Sequence, residues 1–182
     1  MNLIKLVNVM TYFIKNTNNC FKTKLIKLLY LLDFEHYRLT GKSVTGLQYR
    51  ALDKGPVPRN LFEKLDEPYD SELEKYFTFK KIKYLIFLSN EIVPKQDFDS
   101  ALFTKRELDL LANLSNKYKN ITATDLVEIT HASNSPWEKV YNSNPYAEID
   151  YKLVLDNKSD SITKEEVEEK ESYLKSVNSF FK

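Results

Sequence analysis

Glycine is scarce in this chain of 182 residues: only Gly41, Gly46 and Gly55 occur. None sits in a spacing that would let successive backbone N–H groups cradle a phosphate, which excludes nucleotide binding by a glycine-rich fingerprint. Cysteine is scarcer still. Cys20 stands alone, so an internal disulfide and an all-cysteine metal cage are ruled out, and a reducing compartment, the cytoplasm, is the expected location. No apolar run reaches the roughly 20 residues that a membrane-spanning helix needs. The stretch LIKLVNVMTYFI at 3–14 is interrupted by Lys5, Asn8 and Thr11, and no small-residue cleavage pattern follows it, so it reads as a helix of the mature protein. A dominant charge is missing too. Twenty-seven Lys and Arg face 26 Asp and Glu, leaving a formal net charge of +1 that announces no polyanionic partner.

What is present is apolar material: 42% of the residues are hydrophobic, enough for one domain spanning 1–182 with a sizeable core. Charge is uneven along the chain. Residues 1–50 carry eight bases against Asp33 and Glu35, whereas 156–171 carry seven acids against three lysines. Solvated helix faces are the favoured explanation, with an interaction gradient as the alternative.

Leu3, Leu6, Val7, Met10 and Ile14 recur at helical spacing and define a first amphipathic helix. Between Leu25 and Phe34 only Lys27 and Asp33 are neither apolar nor aromatic, so the second helix belongs at the centre of the fold, ending before Gly41. From Val44 the period changes to two. Leu47, Tyr49 and Ala51 alternate with Gln48, Arg50 and Leu52 as in a half-buried strand, which Asp53-Lys54-Gly55-Pro56 ends. RNLFEKL is a short helix; YFTF and IKYLIFL are expected to pair as a second strand system, with a buried helix as the alternative for the latter. Thr104 with Glu107 and Thr163 with Glu166 form reciprocal caps that open two further helices. Between them lie short helices capped by Thr122 or Thr124 and by Ser135 before Pro136, then an edge strand in IDYKLVL. Residues 156–162 read as a flexible linker before the C-terminal helix.

Few groups suggest chemistry. Asp33 and His36 are one turn apart, a spacing compatible with metal ligation, but a single such pair is too little and His131 is the only other histidine. No metal and no cofactor are expected. Asp33 must find a cation or several hydrogen bonds in its apolar helix or else protonate, and anchoring the strand or loop after Gly46, with Tyr30 and Tyr37 on the same face, is its leading role. Asp125, His131 and Ser135 lack the strained turn of a nucleophile, and Ser135 serves better as a cap. Trp137, Tyr141 and Tyr146 form an aromatic cluster suited to the core or to a partner. ITATDLVEITHASNSPWEKVY has a helix-turn-helix rhythm, yet its second helix offers Lys139 alone to phosphate, which ranks nucleic acid below protein as a partner.

KLIKLLYLLDFEHYRLTGKSVTGLQYRALDKGPVP, at 24–58, resembles the central signature of the Panacea, or SocA-like, antitoxin domain, formerly an uncharacterised phage-associated family. THASNSPW resembles that family's later histidine and tryptophan element, and the likeness spans Leu3 to Tyr146. It implies a mainly helical, non-enzymatic protein, encoded beside a toxin that it neutralises by direct binding. In one type the protein is instead an adaptor delivering the toxin to a protease. Tyr30, Asp33, His36, Tyr49, Gly55, Pro56, His131 and Trp137 occupy the family's recurrent positions, several of them as scaffold. The acidic segment before the last helix is outside the signature.

The expectation is therefore an α+β, mainly α domain with a central buried helix and a small hairpin around Leu47–Leu52. It acts as an antitoxin, with Gln48, Arg50, Lys54 and Arg59 as toxin contacts and no catalytic residue. A protease adaptor and a DNA-binding regulator are the alternatives.

Overall fold

A helix that is apolar on nearly every face is stable only when other elements surround it, and α2 (Lys22–Thr40) is enclosed in that way. The computed structural model describes residues 2–66, 72–84, 87–156 and 160–180. In chain order they form α1 (Leu3–Asn16), α2, β1 (Arg50–Leu52), β2 (Gly55–Val57), α3 (Arg59–Asp66), β3 (Phe77–Tyr84) and β4 (Phe87–Pro94). They continue with α4 (Lys105–Lys117), α5 (Ala123–Thr130), α6 (Pro136–Ser143) and α7 (Lys164–Phe180). The architecture is mainly helical with two small antiparallel hairpins, β1–β2 and β3–β4, as expected. No helix among the described residues is long and apolar enough to cross a membrane.

Helices α1, α4 and α5 and the turn at Tyr151–Val154 pack around α2, where Leu25, Leu28, Leu29 and Leu32 are sealed from solvent. Each such leucine contributes roughly 2 kcal/mol of transfer free energy. Gly41 closes α2 in the left-handed conformation at φ +75°, its N–H returning to the Tyr37 carbonyl. The reciprocal cap of Thr104 and Glu107 opens α4; Thr122, rather than Thr124, opens α5; and Ser135 with Pro136 opens α6.

The strand read from Val44 begins only at Arg50. Burial does alternate through 47–51, but the stretch before Arg50 has a β2 partner on neither of its edges, and Gly46 at φ +71° breaks its extension. β1 ends at Leu52, just before Asp53 as expected, and the Asp53-Lys54 pair turns the chain: Gly55–Val57 returns antiparallel, with Leu52 opposite Gly55 and Arg50 opposite Val57. YFTF and IKYLIFL do not pair with each other. Phe77–Tyr84 is one continuous strand that takes the end of the first and the start of the second, and it pairs with Phe87–Pro94; Leu85 and Ile86 lie outside the described residues.

The edge strand expected in IDYKLVL is a single 3-10 turn, Tyr151–Val154, opened by the Asp150 carboxylate accepting from the Lys152 N–H. Edge pairing belongs to the residues just before it. Ile149 N donates to the Tyr49 carbonyl, Ala51 N to the Ala147 carbonyl, and Arg50 bridges Glu148. Of the stretch read as a linker, residues 157–159 lie outside the described residues.

Much of the charge of the basic N-terminal segment is paired or buried within the fold, some of it in exposed ion pairs. Lys5 pairs with Glu107, Lys15 with Asp97, Lys22 with Asp66, and Arg38 with Glu35 and Asp160. Lys24 and Lys27 are buried.

Candidate partner-binding face

Four polar side chains on α2 each dock a different segment of chain. Lys24 donates to the carbonyls of Asn18, Lys119 and Ile121, at 2.8, 3.0 and 2.8 Å. Lys27 donates to the carbonyls of Lys54 and Pro56 at 2.6 and 2.9 Å, fixing the tip and return of the β1–β2 hairpin. Burial lowers the Lys27 pKa to about 7. His36 Nδ1 meets the Lys42 carbonyl at 2.6 Å.

Asp33, fully buried, accepts from the N–H groups of Val44 and Thr45 at 2.9 and 2.8 Å, from the Tyr49 hydroxyl at 2.8 Å and from the Thr45 hydroxyl. Burial raises its pKa, and these four donors work against that rise by stabilising the carboxylate. All four come from the segment on either side of Gly46. Tyr30 and Tyr37 do not join this network. Tyr30 packs edge-on against Tyr49, and its buried hydroxyl lies near the Trp137 backbone without a hydrogen bond; Tyr37 stacks on Tyr151. No group of three or more His, Cys, Asp or Glu side chains among the described residues is arranged to hold a metal ion.

From the other side the hairpin is held by α5 and α6. Trp137 Nε1 donates to the Leu52 carbonyl at 2.9 Å, and the indole stacks on His131 with centroids 3.8 Å apart and planes 4° apart. Tyr141 stacks on the Trp137 indole with centroids 4.8 Å apart and donates to Asp53 at 3.0 Å. Tyr146, expected in this cluster, is 53% exposed. Gly55, at φ +93°, lies where a Cβ would come within 2.7 Å of Lys27 Nζ and 2.8 Å of His131 Nε2, so only glycine lets the hairpin close onto both. Burial, and then the Lys27 charge, hold the His131 pKa below the ordinary histidine value. Asp125 and Ser135 are occupied as caps at the starts of α5 and α6, away from any joint arrangement with His131.

The clasped hairpin carries one open face. A groove of about 400 Å³ runs between the 46–50 segment, the N-terminal part of α1, α3 and the turn at Glu72–Lys75. Gln48, Arg50 and Arg59 all line it. Lys54 does not: it sits at the hairpin tip, with its carbonyl bound to Lys27. Arg59 is held to Glu63 at 2.9 Å along α3, and Arg50 reaches the Tyr146 carbonyl at 3.3 Å. Asn60 and Lys64, on the same side of α3, join the wall, while Leu61 and Leu65 anchor that helix in the core.

Sequence reasoning missed Lys24 and Lys27. The signal was there: a lysine inside an apolar helix poses the same desolvation question as Asp33, and two lysines three apart pose it twice on one stripe.

The described residues form a mainly helical domain whose polar-braced hairpin stands beside an exposed groove. The chain belongs to the SocA-like antitoxin family: the model for its Panacea domain matches residues 25–138, more than half of the sequence. The match runs from Leu25 in the first turns of α2 through the β1–β2 hairpin and α3 to the start of α6, and leaves α1 and α7 outside. Comparisons with curated proteins and with solved structures found no match.

Proposed function

We propose that this chain neutralises a cognate toxin by direct protein–protein binding, without catalysis, and that the toxin is encoded by an adjacent gene. Family membership supports an antitoxin role in general. The observation that supports the binding mode is the groove, which gathers Gln48 before β1, Arg50 on β1 and Arg59 at the start of α3, beside a hairpin that Lys27 fixes from beneath and Trp137 from the side, with Asp33 bracing the segment that leads into it. A surface held in place before the partner arrives loses little conformational freedom on binding, so more of its contact energy appears as affinity. Gln48, Arg50 and Arg59 supply contacts, with Lys54 as an outlying one at the hairpin tip.

Co-expression with the product of the adjacent reading frame tests this reading. Growth rescue with recovery of a stoichiometric complex and an intact toxin is the expected result. Rescue with rapid loss of the toxin would show delivery to a protease, and no rescue and no complex would refute the proposal.

A further inference from the structure

Backbone groups of consecutive residues in an extended segment point to opposite edges. The Tyr49 carbonyl and the Ala51 N–H both bond to the 146–149 segment. The N–H and carbonyl of Gln48 therefore point the other way, along the edge on which Arg50 pairs with Val57. β2 does not reach that far. After Val57 the chain passes through Pro58 into α3, whose first turn begins with Phe62 N donating to the Pro58 carbonyl. Neither backbone group of Gln48 has a hydrogen-bond partner among the described residues, and the residue is exposed. Beside this open edge lies the groove, lined on its apolar side by Leu3, Leu6, Leu61 and Leu73.

We propose that the groove takes an extended segment of the partner toxin, which adds as a short strand beside Gln48, continues the line of β2 and lays one apolar side chain against Leu3, Leu61 and Leu73. This rests on the toxin-binding reading above and specifies what part of the toxin is bound. Strand addition fits the site for three reasons. The hydrogen-bonding positions are already set, because Asp33 and the 146–149 segment fix the backbone on both sides of Gln48. The side chains of Gln48 and Arg50 share the exposed face, leaving the edge between them and α3 accessible. Charge does not choose the partner, since Arg50, Arg59 and Lys64 share the rim with Glu72 and Glu148. Main-chain pairing and an apolar anchor then add to the side-chain contacts of Arg50 and Arg59, which suits a site able to accept segments of differing sequence.

The test is amide hydrogen exchange on the full chain, alone and in complex with the co-expressed product of the adjacent reading frame. The Gln48 amide is expected to exchange roughly tenfold or more slowly in the complex. Gln48→Pro, which removes the donor, is expected to weaken binding by about tenfold or more beyond the loss caused by Gln48→Ala, which removes the side-chain contact and keeps the backbone donor. A complex that forms with Gln48 exchange unchanged, or that tolerates Gln48→Pro at full affinity, overturns strand addition and leaves toxin binding standing. Failure to form any complex overturns both. Should Gln48→Pro not fold, the exchange measurement on the unaltered chain decides alone.

Discussion

Lys27 reaches from the central helix to the Pro56 carbonyl at 2.9 Å, and it is the brace that joins the core to the hairpin return. Its amine is buried and its pKa lies at about 7. The unfolded chain keeps that proton to near pH 10.5, so between pH 7 and 9 it binds more protons than the folded chain, and stability rises with pH. The expected gain from this residue is about 2 kcal/mol over that window. Urea denaturation at pH 7, 8 and 9 on the wild type and on Lys27→Met checks it. The variant should lose the slope; equal slopes would contradict the assignment.

Gly55→Ala places a methyl group against Lys27 Nζ and His131 Nε2 in a left-handed backbone conformation. A loss of about 2 kcal/mol or more is expected, read as a lowered midpoint in chemical denaturation. Stability equal to wild type would mean that the hairpin is not closed on these two groups.

Asp33→Ala strands two buried N–H groups and two hydroxyls at once, and an expected loss of about 3 to 5 kcal/mol follows from leaving such donors unpaired. Tyr49→Phe removes one of the four bonds and is expected to cost about 1 kcal/mol. Thermal denaturation of both variants separates them; a smaller effect for Asp33→Ala than for Tyr49→Phe would refute the bracing role.

Arg38, held by Glu35 on its own helix, ties the end of α2 to the segment before α7 through Asp160 and Ser161. Beyond that tie, Val167 packs with Tyr37 and Ile162. Arg38→Ala is expected to speed tryptic cleavage after Lys164 while the melting temperature of the core stays nearly unchanged. Unaltered cleavage would show that the apolar contact holds α7 by itself.

The helices were legible because their signals are local. Periodic leucines, Gly41, and the pairs Thr104 with Glu107 and Thr163 with Glu166 act within a few residues of one another. Sheet extents were not, because they depend on chain brought in from far away. β1 is short where β2 turns off into α3, and its other edge is covered by residues 146–149, nearly a hundred positions later. The candidate contacts divide in the same manner. Alternation marked Gln48 and Arg50 as exposed, whereas only the placement of α3 brings Arg59 beside them and leaves Lys54 elsewhere. Lys27 was visible but unexamined. A cation in an apolar helix implies buried carbonyls as surely as a carboxylate implies buried donors.

Affinity of the Arg50→Glu variant for the product of the adjacent reading frame, measured by titration calorimetry beside its melting temperature, is the most direct test of the groove as the binding surface. The expected result is a loss of about tenfold or more in affinity with the melting temperature of the wild type. Full affinity in a stably folded Arg50→Glu protein would contradict it.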